Sequence, residues 1–250
     1  VSALLLTRLA EDNQRLASRF EALGVRTCSL PLLEIEAQVE TPEQRRMLLD
    51  LDRYQAVMVV SPVAARLGLQ RMDQYWPQWP VGIDWFAVGA GTARILEQAG
   101  LAVQVPQAGQ DSEALLALPR WQALLQQPDL RVLIWRGQGG RQWLASQVQA
   151  AGGQVDYLEL YRRVMPAQLR VHLPRMAAEV GGILLMSAQA LEHWHDAAGE
   201  DWLRQSAWRC WVPSQRVADS ARALGCKDII VCRGADDDAV IEAVMAHPLR

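Results

Sequence analysis

Short runs of consecutive apolar residues alternate along the chain with longer segments of helical period. Ala3–Thr7, Tyr54–Val60, Asp84–Val88, Arg131–Trp135, Gly182–Met186 and Trp208–Val212 are apolar at nearly every position. That is the pattern of strands covered on both faces, as in a parallel sheet. Each run ends in small or polar residues and passes into an amphipathic helix. Glu11–Leu23 is the first such helix, stopped by Gly24. Thr41-Pro42-Glu43 opens another: a capping residue, then Pro at the first helical position. Further helices are predicted over Val63–Arg71, from Ser112, over Leu169–Ala178 and Ala190–His195, and from Asp237 to about Ala246. Tyr75–Pro80 reads as an irregular surface loop.

The strand and helix units repeat. Leu4–Gly24 aligns with Val132–Gly152 at an offset of 128 residues, with eight identities in 21 positions, Arg8/Arg136 and Gly24/Gly152 among them. Ala56–Ala64 echoes Gly182–Ala190, with Ser61 opposite Ser187, and Phe86–Gly100 echoes Trp211–Gly225. A period this long is too large for a solenoid. It marks duplication of a whole βα domain, so the fold class is α/β with two similar parallel-sheet domains. Two segments break the scheme. Pro31–Val39 and Leu158–Pro166 read as extended connectors rather than central strands.

At 250 residues the chain has room for two small cores, and half of its residues are apolar. No apolar run reaches the roughly 20 residues of a membrane span. The first residues lack a basic leader region and run straight into a strand, which argues against a signal peptide. The net charge of −3 argues against a general nucleic-acid binder. Lys227 is the only lysine; the remaining positive charge is Arg, either a compositional bias or a provision for carboxylates and phosphates. Cys28, Cys210, Cys226 and Cys232 have neither redox nor zinc-site spacing. They read as core thiols of a reducing compartment, hence the cytoplasm.

Ligand sites of parallel sheets lie at the carboxyl ends of the strands. Those ends carry Thr7-Arg8, Ser61, Gly89 to Thr92, Arg136-Gly137, Ser187 and Ser214. Hydroxyls and exposed N–H groups at helix starts suit anions such as carboxylates, although Ser and Thr also serve there as simple caps. Gly89-x-Gly91 followed by Arg94 is an incomplete dinucleotide fingerprint. His193 and His195 flank Trp194, face different sides of a helix and cannot share a metal. Asp236–Asp238 reads as a solvated helix start. With no nucleophile–base signature, the site is one that binds and orients.

The segments LLLTR, VVSP, FAVGxxTA, VLIWRGxGGR, LELYRR, LLMS and VPSxRVA, in this order and spacing across the whole chain, resemble the uroporphyrinogen-III synthase family. Tandem duplication alone would give halves near 1–130 and 131–250. The resemblance implies instead that the domains exchange segments. Residues 1–31 and 166–250 would form one domain, 39–157 the other, and 32–38 with 158–165 a two-stranded antiparallel connector. It implies closure of the linear tetrapyrrole hydroxymethylbilane with inversion of ring D and loss of water, in a cleft between domains, without metal or organic cofactor. Such catalysis works by positioning, with acid help to the departing hydroxyl. Tyr161 matches the family tyrosine that points into the cleft, and we assign it to hydrogen-bonding the departing hydroxyl; otherwise it is a connector aromatic packed on a domain. Thr7, Arg8, Ser61, Gly89, Thr92, Arg136, Gly137, Ser187 and Ser214 would hold the substrate's carboxylates. Val60-Ser61 and Pro213-Ser214 depart from the family's usual residues. The resemblance further implies a cytoplasmic monomer that binds neither nucleic acid nor membrane, with transient contact to the preceding enzyme of the pathway. A non-enzymatic two-domain binder or sensor, and a nucleotide-dependent enzyme using Gly89–Arg94 or Gly137–Gly140, are the competing readings.

Overall fold

The computed structural model describes residues 2–106, 112–139 and 142–249. The strands in chain order are β1 (Ala3–Leu6), β2 (Thr27–Ser29), β3 (Glu34–Ala37), β4 (Ala56–Val59), β5 (Asp84–Ala87), β6 (Val103–Gln104), β7 (Arg131–Gly137), β8 (Gln154–Val164), β9 (Val180–Leu184), β10 (Arg209–Val212) and β11 (Ile229–Val231). The helices are α1 (Ala10–Ala22), α2 (Pro42–Leu49), α3 (Pro62–Met72), α4 (Ala90–Gln98), α5 (Ser112–Leu116), α6 (Pro119–Leu124), α7 (Trp143–Ala150), α8 (Leu169–Met176), α9 (Ala188–Ala198), α10 (Trp202–Gln205), α11 (Gln215–Ala223) and α12 (Asp237–Ala246). The chain forms two compact units, Val1–Glu34 with Val164–Arg250, and Ile35–Arg163.

The first unit carries a five-stranded sheet in the order β11-β10-β9-β1-β2. Its strand pairs are parallel. Successive residues of each strand feed opposite faces. Leu5, Ile183, Cys210 and Val212 join one core. Leu4, Leu6, Leu184 and Trp211 join the other. This explains why the strands are apolar without alternation: neither face meets water.

The second unit carries a six-stranded sheet in the order β3-β8-β7-β4-β5-β6. The pairs from β8 to β6 are parallel. Its faces divide as before, with Val57, Val59, Leu133 and Trp135 in one core and Ala56, Met58, Val132 and Ile134 in the other. At the edge, β3 runs antiparallel to β8: Gln38 N–H donates to Leu160 O at 2.9 Å, while Glu36 pairs with Arg162 at 2.9 Å. The segment around Pro31–Val39 therefore contributes an edge strand and no central one. β8 is long, 11 residues, because it runs on past the parallel sheet to meet β3.

Local chemistry sets the element limits. Thr41 Oγ1 accepts the Gln44 N–H and Gln44 Oε1 accepts the Thr41 N–H, a capping box with Pro42 at the first helical position. Gly24 and Gly152, equivalent in the repeat, stop α1 and α7 at φ of 74° and 84°, a left-handed backbone that costs other residues energy. The apolar pattern carries no signal for α6 or α10, helices of six and four residues, each too short to show a period. Tyr75–Pro80 is irregular, but its tryptophans anchor it. Trp76 Nε1 donates to Leu48 O at 2.6 Å and Trp79 Nε1 to Ala99 O at 2.8 Å.

Helix α3 lies against β7 because Gly68 leaves space for an indole. A Cβ at Gly68 would stand 2.1 Å from Trp135 Cε3. Trp135 is fully buried and meets Trp85 edge-on, with ring centroids 5.2 Å apart, so it cannot retreat. Gly68→Ala should destabilise the protein by about 1–3 kcal/mol, the usual cost of overpacking. Urea unfolding followed by tryptophan fluorescence measures this; an unchanged midpoint would refute the contact.

Candidate functional site

The carboxyl ends of the parallel strands, with the helix starts that follow them, hold the residues marked for the substrate. In the first unit Thr7-Arg8 follows β1, Ser187 follows β9 and Ser214 follows β10. These strands are neighbours, so the three ends stand side by side. In the second unit Tyr161, Gly137, Ser61 and Gly89 belong to β8, β7, the turn after β4 and the turn after β5, again in lateral order.

Four helix starts share one backbone shape. Ser61, Gly89, Ser187 and Ser214 cap α3, α4, α9 and α11 with φ of −159°, −145°, −156° and −161° and ψ of 158–159°. The Oγ of Ser61 and of Ser187 accepts the N–H three residues on, from Ala64 and Ala190, each at 3.1 Å. Ser214 and Gly89 make no such bond, which leaves the first N–H groups of α11 and α4 to an anion or water. Thr92 is buried in the first turn of α4, and its N–H returns to Gly89 O at 3.0 Å. Thr7 is also buried, and its hydroxyl donates to Leu184 O, tying the end of β1 to β9.

The repeated arginines each have a carboxylate within their own unit. Arg8 Nη1 donates to Asp237 Oδ1 and Nη2 to Ala235 O, both at 2.6 Å. Arg136 lies 3.8 Å from the Tyr157 ring centroid and donates to Glu159 Oε1 at 2.7 Å. Asp237 and Glu159 are the residues that sequence reasoning missed. Asp237 belongs to no solvated cluster: its side chain is 14% exposed and also accepts from Arg15 at 2.8 Å. For Glu159, the signal available was the parallel pairing of β7 with β8, which sets it directly beside Arg136.

Tyr161 is the centre of the second unit's cluster. Its side chain is 1% exposed. Its hydroxyl lies 3.0 Å from Ser61 Oγ. Its ring occupies the space a side chain at Gly137 would need: a Cβ there would stand 2.6 Å from Tyr161 Cε2 and Cζ. Gln138 N–H donates to Tyr161 O at 2.7 Å, just past an irregularity in the β7–β8 register. The Arg163 guanidinium lies 5.7 Å from the ring centroid. Gly140 and Arg141, marked in the glycine-rich loop, fall outside the described residues. Among the described residues no group of His, Cys, Asp and Glu could hold a metal ion, and no helix is long and apolar enough to cross a membrane. His193 is half-buried with Nδ1 2.7 Å from Leu32 O, and His195 is exposed, its ring centroid 4.6 Å from that of Trp202.

Burial pushes the Asp237 carboxyl up, but its hydrogen bonds and charge contacts with Arg15 and Arg8 outweigh this and hold it below its ordinary value of 3.8. A lowered folded-state value stabilises the fold above the unfolded value, and that contribution is lost as pH falls through the folded one. Asp237→Asn should therefore destabilise at pH 7, and the gap to the wild type should narrow as pH falls below the ordinary value of 3.8 and through the lower folded-state one. Urea unfolding across this pH range reads this directly. Gly137→Ala should displace the Tyr161 ring at a cost of about 1–3 kcal/mol. The Cζ chemical shift of that tyrosine, labelled with 13C, would move if the ring is displaced and stay fixed if it is not.

Comparison with known proteins adds a second line of evidence. Residues 14–242 match the sequence model of the family HEM4, uroporphyrinogen-III synthase HemD. The chain is 32% identical to the uroporphyrinogen-III synthase of Salmonella typhimurium over 252 residues, covering 97% of this chain and 99% of that one. It is 31% identical to the Escherichia coli protein of the same name, with the same coverage of each. In fold it is similar to a crystal structure of a mutant uroporphyrinogen III synthase from the extremely thermophilic bacterium Thermus thermophilus, with a TM-score of 0.62 at 18% identity and 98% of each chain covered.

Proposed function

The chain belongs to the uroporphyrinogen-III synthase family, and from that premise we propose how its residues carry the reaction. It is an enzyme of heme biosynthesis, a cyclising hydro-lyase that closes hydroxymethylbilane with inversion of ring D and loss of water to give uroporphyrinogen III. The observation that carries this is the identity of about a third with a synthase along almost the whole chain. A purely binding two-domain module has no comparable support.

The substrate is a flexible polycarboxylate that ionises by losing its hydroxyl and can then close without help to the non-inverted isomer. The protein's task is to hold the chain so that the substituted carbon of ring D is attacked. That is catalysis by orientation. The helix starts at Gly89, Thr92, Ser187 and Ser214, with the backbone beside Ser61 and Gly137, take the carboxylates. Thr7, Arg8 and Arg136 complete the set at the strand ends, the arginines adding positive potential while keeping Asp237 and Glu159 as their own partners. Tyr161 supplies the hydrogen bonding that helps the hydroxyl depart. The enzyme works as a cytoplasmic monomer without cofactor, passing through transient contact with the preceding enzyme. Four free thiols support a reducing compartment.

Freshly made hydroxymethylbilane, incubated with the protein and oxidised to porphyrins, gives a ratio of type III to type I isomers. Predominantly type III is expected, absent from the protein-free control; type I alone at the spontaneous rate would overturn the activity. Tyr161→Phe should lower turnover about tenfold or more. Unchanged turnover would remove Tyr161 from the acid role.

A further inference from the structure

Tyr161 and Ser61 differ in what they can reach. The tyrosine is buried; Ser61 is half-buried at the rim of the strand ends. Counting hydrogen bonds fixes the direction between them. Among the described residues, the Tyr161 hydroxyl has Ser61 Oγ as its partner, 3.0 Å away. A buried hydroxyl proton with no acceptor is costly, whereas an unused oxygen lone pair costs little. The phenol therefore donates to Ser61. Ser61 Oγ also accepts the Ala64 N–H at 3.1 Å. A serine hydroxyl has two acceptor sites and one proton. With both acceptor sites filled, the unspent group is its O–H, which has no acceptor of its own in these two contacts.

Resting on the synthase reading above, we infer that Ser61 is the catalytic residue that touches the departing hydroxyl, and that Tyr161 acts through it. As the C–O bond of the hydroxymethyl group breaks, pushed by the pyrrole nitrogen's electron pair, the leaving oxygen takes the Ser61 proton and departs as water. Ser61 takes the Tyr161 proton in the same movement. The proton released when the pyrrole of ring D regains aromaticity after ring closure returns to the pair, so the enzyme ends unchanged. Serine alone is a poor acid; relayed to a phenol, a stronger acid than any alkanol, it becomes a competent one. The transient tyrosinate lies beside Arg163, and the start of α3 adds positive potential at Ser61.

The repeat supplies an internal comparison. Ser187 caps α9 with the same geometry as Ser61. At the offset that aligns Arg8 with Arg136, the position of Tyr161 is held by Leu33. A cap at this place thus needs no tyrosine, and the phenol belongs to one unit only.

The test uses Ser61→Ala, Ser61→Thr, Tyr161→Phe and the Ser61→Ala/Tyr161→Phe double variant, with kcat and KM for hydroxymethylbilane. Ser61→Ala should lower kcat about 100-fold with KM little changed. Tyr161→Phe should lose less, the double variant should match Ser61→Ala, and Ser61→Thr, which keeps the hydroxyl and the cap, should recover most of the activity. Thr41→Ala, which removes a cap elsewhere, controls for stability: a Tm loss of about 2–4 °C with no loss of kcat. The protein has four tyrosines, and Tyr161→Phe identifies the Tyr161 signal in a 13Cζ-tyrosine spectrum. Ser61→Ala should shift that signal and leave the other three. A Ser61→Ala enzyme with wild-type kcat, a double variant far below it, or an unmoved Tyr161 signal would overturn the relay while leaving the synthase activity standing. A wild-type protein that makes no type III product would overturn both.

Discussion

Both units depend on one constraint: strands buried on both faces must satisfy their backbone groups within the sheet and bring the chain back through helices. The interior of each unit is then closed to a polar ligand. Leu4, Leu5 and Leu6, or Val57, Met58 and Val59, offer nothing but packing. What remains available is the rim, where strands end and helices begin. There the first N–H groups of a helix lack partners inside it. The chemistry proposed for this protein lies at the strand ends because its fold leaves few other positions for polar groups that are not already committed.

Duplication supplied two such rims, and the two have since diverged through their partners. Arg8 and Arg136 occupy equivalent places, yet one meets Asp237 from the first turn of α12 and the other Glu159 from the neighbouring strand. Ser61 and Ser187 share a backbone shape and a cap bond, but only Ser61 has a phenol behind it. The common features are those that build a βα turn. The differing ones are side chains that arrive from elsewhere in the chain, and these give each rim its own character.

That distinction also explains what could be read without coordinates. Val57, Met58 and Val59 declare a buried strand because burial on two faces forces every position to be apolar. Thr41, Pro42 and Gln44 declare a helix start because the cap is a local device. Ser61, Ser187 and Ser214 could be marked because a residue between a strand and a helix stands at a helix start. Glu159 could be found only by knowing the register of β8 on β7, and Asp237 only by knowing that α12 returns to β1. The burial of Tyr161 was hidden for a related reason. It lies where β8 leaves the parallel sheet and turns to pair with β3, and there a partial alternation does not show which face is covered. Gly137 makes that burial feasible, and its meaning appears only once the Tyr161 ring lies across it.

The pairing of the arginines bears on how the proposed site would hold the substrate. An arginine clamped on each carboxylate would bind substrate tightly, but it would bind the unreacted chain and the closed product nearly alike, since both carry the same acid groups. Binding of that kind lowers KM without raising kcat. Arg8 and Arg136 instead spend their strongest contacts on Asp237 and Glu159. In the proposed reading, carboxylate recognition falls to helix N–H groups and hydroxyls, which are weaker singly and more directional. Directional donors of this kind can favour one folding of a flexible polyanion over another while still releasing it. For a reaction whose uncatalysed course differs only in which carbon of ring D is attacked, discrimination between shapes counts for more than affinity.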